Sequence, residues 1–139
     1  FRSKGGVLYN FRSKQALLSA LLQELIEAHL MRMSEIDQAE PNATLRGHLR
    51  SLAAANDLEV DLSMAILAAS AESPELLNPL RQMFESDQRK IASESTDPVG
   101  AHVILAALGF QHLLRMPPYE TKTRDAIKDR LESMINDLR

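Results

Sequence analysis

Apolar residues in this chain recur three and four apart from Leu17 to Leu138, and no β-branched or alternating run suggests a strand. That periodicity commits the chain to an all-α fold. Proline and capping residues divide it into about seven helices. Ser3 caps a short helix through Phe11. Ser13 caps a longer one carrying Leu17, Leu18, Leu21, Leu22, Leu25, Ile26, His29, Leu30 and Met33, and ending near Ile36. Thr44 opens a third, with Leu45, Leu49, Leu52 and Ala53 on one face. A break at Asn56-Asp57 leads into the apolar segment from Leu62 to Ala71.

Ser73-Pro74-Glu75 reads as the start of a single helix running to about Ser95, with Leu76, Leu77, Leu80, Met83, Phe84 and Ile91 turned inward. Asp97-Pro98 repeats that start signal. The helix that follows, 99–116, is apolar on nearly every side, which in a chain of 139 residues points to burial by a second copy. Pro117-Pro118 stops it, and the last helix sets Ile127, Leu131, Met134, Ile135 and Leu138 on one stripe.

The composition narrows the function. With 45% apolar residues the chain has material for one real core. It contains no cysteine, which excludes a disulfide scaffold, a thiolate metal site and a cysteine nucleophile. No apolar run reaches membrane-spanning length and no signal peptide precedes the first helix, so a cytoplasmic protein without a membrane partner is expected. The net charge of −3 divides unevenly: residues 1–23 carry +4 and the remainder −7. A short basic end sits on an acidic body.

That basic end holds the informative stretch, Ser3-Lys4-Gly5-Gly6-Val7-Leu8-Tyr9-Asn10-Phe11-Arg12-Ser13-Lys14-Gln15-Ala16-Leu17-Leu18. It reads as a short helix, a tight corner and a long amphipathic helix. Ser3 and Ser13 leave backbone N–H groups free at two helix starts, where phosphate binds well, and Lys4 and Lys14 add charge beside them. Gly5 and Gly6 carry no bulk, which lets a helix lie close to base edges. Leu8 and Phe11 pin the short helix inward, leaving Tyr9 and Asn10 to face out. The Phe-Arg-Ser-Lys tetrapeptide at 1–4 and 11–14 reflects two similar helix starts rather than a repeat architecture.

The stretch resembles the recognition helix and following helix of the TetR family of bacterial transcriptional regulators. Ser3, Lys4, Gly5, Leu8, Tyr9, Phe11, Ser13, Lys14, Leu17 and Leu18 match the family pattern in register. The resemblance implies a helix-turn-helix in which Lys4, Tyr9 and Lys14 contact phosphates, while Gly5, Gly6, Val7 and Asn10 lie nearest the bases. It makes Ser3, Lys4, Gly5, Gly6, Val7, Tyr9, Asn10 and Lys14 the DNA-binding set. Residues 1–15 would be the end of the DNA-binding domain and 16–139 the ligand-binding and dimerisation domain. Phe1-Arg2 depart from the small and aliphatic residues usual before the Ser-Lys pair. The first helix and most of the second lie before Phe1 in the family layout, so an N-terminal extension is expected. The layout also implies a homodimer through the last two helices, with Val103, Ala107, Leu108, Leu114, Ile127, Leu131 and Ile135 at the interface. Operator DNA and a small-molecule effector are the implied partners, and no cofactor is implied.

Small residues between helices leave room for a cavity of mixed polarity, with His29, Met33, Leu52, Asn56, Met64, Leu67, Phe84, His102 and Phe110 as its candidate lining. A solid core touching most of these is the plainer alternative. The four histidines show no i, i+4 pair and no adjacent acid, so no metal site is expected. His102 and His112 read instead as polar contacts in the pocket or at the dimer seam. No glycine-rich phosphate loop or nucleophile elbow is present. The expected function is a ligand-responsive regulator, in the sense of a repressor released from its operator by a small molecule. A helical small-molecule-binding or dimerisation module without DNA binding stays open beside it, whereas no acid, base and nucleophile set stands out, so no enzyme is expected.

Overall fold

A computed structural model describes residues 13–114 and 120–138, with side chains for all of these except 110–114. Every regular element among the described residues is helical: α1 (Lys14–Ser34), α2 (Ala43–Ala54), α3 (Asp57–Ala69), a 3₁₀ turn (Pro74–Leu77), α4 (Asn78–Glu94), α5 (Pro98–Leu114) and α6 (Thr121–Asp137). The expected short helix at 3–11 lies outside the described residues.

The starts of these helices follow from local chemistry. The Ser13 hydroxyl accepts from the Ala16 amide at 3.1 Å, satisfying one of the donors a helix start leaves unpaired. Asn56 and Glu59 bond each other's backbone amides at 2.9 Å, a reciprocal capping box at the start of α3. The Asp97 carboxylate accepts from Gly100 at 2.9 Å as α5 begins. α2 starts differently. Asn42 turns the chain through a left-handed conformation (φ 55°), which asparagine tolerates better than most residues. The capping oxygens come from α4, where Glu94 accepts from the Thr44 amide and hydroxyl at 2.8 and 2.6 Å.

One expectation is corrected here. The segment after Ser73 is two elements, a 3₁₀ turn and then α4. A single α-helix from Pro74 would place Pro79 beyond the first turn, where its ring meets a backbone carbonyl and it has no amide to donate. Restarting at Asn78 puts that proline back in a first turn, where it is tolerated.

α2 lies at the centre and packs against α1, α4, α5 and α6. Leu45, Leu49, Ile91, Ala101, Ile104, Leu108, Leu131 and Ile135 form the larger buried cluster, shared by α2, α4, α5 and α6. A smaller cluster of Leu22, Ile26, Ile66 and Leu76 joins α1, α3 and the 3₁₀ turn. α4 spans both, with Leu80 and Met83 against the small cluster and Ile91 in the large one. No helix among the described residues is long and apolar enough to cross a membrane.

Candidate ligand pocket and its polar seam

The two clusters leave a cavity of about 170 Å³ between them. α1 contributes Leu25, His29 and Arg32 to its wall, α2 contributes His48, Ser51 and Leu52, and Glu59 and Ser63 come from α3. Met83 and Phe84 of α4 and Leu105 and Leu108 of α5 close the apolar side. Five helices therefore meet at one partly enclosed space. Its volume suits a small ligand with an apolar body and a polar group.

A seam of polar side chains crosses this wall. Arg32 Nη2 donates to both carboxylate oxygens of Glu59, at 2.8 and 3.0 Å, tying α1 to α3. His29 Nδ1 lies 2.8 Å from the Ser51 hydroxyl, tying α1 to α2. His48 Nε2 lies 3.0 Å from Asp87 Oδ2, and both residues are buried. The two imidazoles lie with ring centroids 4.9 Å apart and planes tilted by 45°, and Phe84 stacks on His48 at 6.0 Å. Burial, above all, pushes the His29 pKa from about 6.5 to about 4; His48 and Arg32 add to that, and Asp87 opposes it. The ring is neutral at physiological pH.

His29, Leu52 and Phe84 line the cavity as expected from sequence. The other proposed lining residues lie elsewhere. Met33 packs where α1 crosses α2, filling the space a Cβ at Gly47 would occupy. Asn56 is committed to capping α3. Met64 is half-buried on α3 away from the cavity wall, and Leu67 is 53% exposed. His102 lies 2.6 Å from its own Pro98 carbonyl and faces a shallow depression beside Glu85 and Arg89. The Phe110 side chain lies outside the described residues.

Sequence reasoning missed Arg32, His48, Ser51, Glu59 and Asp87. A signal existed for two of them. Asp87 stands four residues after Met83 and four before Ile91, on the inward stripe of α4. His48 stands between Leu45 and Leu52 on the inward face of α2. A charged or polar residue at an inward register is the unusual observation.

The expected interface residues divide as well. Leu108, Leu131 and Ile135 are buried within this chain's own large cluster, with Ile127 and Ala107 packed against it. A second copy cannot cover side chains that are already covered. Val103, 58% exposed, stays available, as does Val99 one turn earlier at 75%. The Leu114 side chain lies outside the described residues. So do Ser3, Lys4, Gly5, Gly6, Val7, Tyr9 and Asn10. Lys14 is exposed in the first turn of α1, and that helix runs unbroken through the expected domain boundary between residues 15 and 16.

The described helices form one body with a partly enclosed cavity walled by the long leading helix α1. Residues 42–136 match the family described as "Tetracyclin repressor-like, C-terminal domain", which covers most of the chain. The chain belongs to the TetR family. No curated protein and no solved structure matches it significantly.

Proposed function

We propose that the chain is the sensing part of a ligand-responsive transcriptional regulator that binds operator DNA as a homodimer and releases it when a small molecule enters the α1–α5 cavity. The observation that carries this reading is the double role of α1. Leu25, His29 and Arg32 form one wall of the cavity, and the same helix starts at Lys14, within the stretch 3–18 whose sequence resembles a DNA-reading motif. A ligand that binds two tilts of α1 with different affinity shifts the spacing of the two DNA-reading heads. A ligand with equal affinity for both does nothing. Val99 and Val103 give the homodimer an exposed apolar strip on α5. The acidic body keeps the remaining surface off DNA. As a cytoplasmic regulator of this kind it has no catalytic role.

Fluorescence anisotropy on the full-length polypeptide containing this chain tests the reading. It should bind a palindromic operator with an affinity that falls steeply with salt, and an effector should reverse that binding. Sedimentation should show a dimer that Val103→Glu dissociates. Binding without sequence preference, insensitive to salt, would overturn the DNA role, and a strict monomer at micromolar concentration would overturn the dimer.

A further inference from the structure

We propose that His29, His48 and Asp87 form a binding site for one divalent transition-metal ion of the zinc type, on the wall of the α1–α5 cavity. The three side chains come from α1, α2 and α4, far apart in sequence, and one ligand atom from each lies within 4.8 Å of the other two. His48 Nε2 stands 3.0 Å from Asp87 Oδ2, and His29 Nε2 stands 4.0 Å from the same oxygen. Ligands held about 2.0–2.1 Å from a tetrahedral ion lie roughly 3.3 Å from one another. The first pair is already at that separation. The second closes on a shift of His29 by less than about 1 Å.

The independent observation is His29 Nε2 itself. It is buried without a hydrogen-bond partner among the described residues. If Nδ1 carries the proton and donates to Ser51, the Nε2 lone pair is left beside a carboxylate oxygen. If Nε2 carries the proton, 4.0 Å is too long for a hydrogen bond to that oxygen. Both tautomers leave a mismatch that a cation between the two atoms removes. Asp87 adds a second reason, because buried carboxylates are normally paired with a cation or bound to a metal. The Arg32 guanidinium on the same wall is already engaged by Glu59.

Two imidazoles and one carboxylate suit zinc and its neighbours, whereas magnesium and calcium prefer all-oxygen sites. The Ser51 hydroxyl on His29 Nδ1 fixes the ring with Nε2 forward, as metal-bound histidines require. Three protein ligands leave a fourth position open, and His29 and His48 both line the cavity into which it would face. An ion here would staple α1 to α2 and α4.

The test uses the intact chain, stripped with a chelator, equilibrated with zinc alone and desalted. Elemental analysis should find one zinc per chain, and zinc should raise the unfolding temperature. Cobalt in its place should give a visible absorption band of a low-coordinate nitrogen–oxygen site. Asp87→Asn and His29→Gln should each lower zinc affinity at least about tenfold, while His102→Gln leaves it unchanged. Circular dichroism checks that the variants fold. If Asp87→Asn does not, His29→Gln decides alone, since that ring lies nearer the cavity surface. Failure of the folded chain to take up zinc at micromolar concentration overturns the site, as does uptake that His29→Gln leaves intact. The readout involves no DNA, so it stands or falls apart from the regulator reading.

Discussion

Eight buried residues hold α2, α4, α5 and α6 together, whereas four hold α1 and α3 to the 3₁₀ turn. In the larger half Glu94 takes both donors of Thr44 and the Asn42 amide reaches the Leu138 carbonyl at 3.4 Å, while Arg124 Nε on α6 is buried without a partner among the described residues. At the border of the smaller half, His29 keeps one ring nitrogen buried and unpaired. α1 is therefore attached by a cluster with fewer fully buried side chains and by a polar seam. Local opening draws on the weakest-held elements first. α1, the helix of the proposed signal, is held to α2, α3 and the 3₁₀ turn by that smaller cluster and the polar seam.

The largest effect should come from the larger cluster. Leu45 is fully buried in the first turn of α2, so Leu45→Ala should cost about 3 kcal/mol and lower the stability of the whole domain in chemical denaturation. Leu22→Ala removes a comparable side chain from the smaller cluster. There the loss should appear mainly as faster amide exchange in α1 and α3, with α2 and α5 still protected. Uniform exchange in both variants would show that the two halves open as one, and the comparison would fail.

Glu94→Ala tests the polar side of the same contrast, at about 2 kcal/mol. It strips the α2 start of its cap and leaves the Thr44 hydroxyl and amide buried without acceptors. The loss should be global, because α2 touches four other helices. A change confined to the amides of residues 43–46 would instead show α2 starting independently of α4.

How much of this could be read from sequence depends on the kind of information each residue carries. Ser13, Asn56 and Asp97 act on amides three residues away, so these helix starts are legible from local order alone. Pro79 was legible too, since its place five residues after Pro74 already argues against one continuous helix. Burial is a different matter. The all-round apolar pattern of α5 reports that its faces are covered without saying by what. α2, α4 and α6 of the same chain cover most of them, including Leu108, and leave Val99 and Val103 outside. The polar cluster was the least legible. His29, His48 and Asp87 lie on three helices, and only their crossing brings them together. Spacing along one helix, the criterion that argues against a metal pair, is blind to ligands gathered across several.

The smallest predicted effect bears most directly on how α1 is held. The Arg32–Glu59 pair is partly exposed, at 25% and 18% of the two side chains, so solvent screens it and Arg32→Ala should cost only about 1 kcal/mol. Glu59→Ala costs more on its own, because Glu59 also completes the capping box of α3. A double-mutant cycle separates the two roles, since the cap is lost equally whether or not Arg32 is present. The coupling should be favourable, about 0.5–1 kcal/mol, and shrink as salt is added. Amide exchange in α1 should quicken on losing Arg32 while α5 is untouched. A coupling of zero would mean that α1 and α3 are joined by Leu22, Ile26 and Ile66 alone. The polar seam would then have no part in setting the angle of α1.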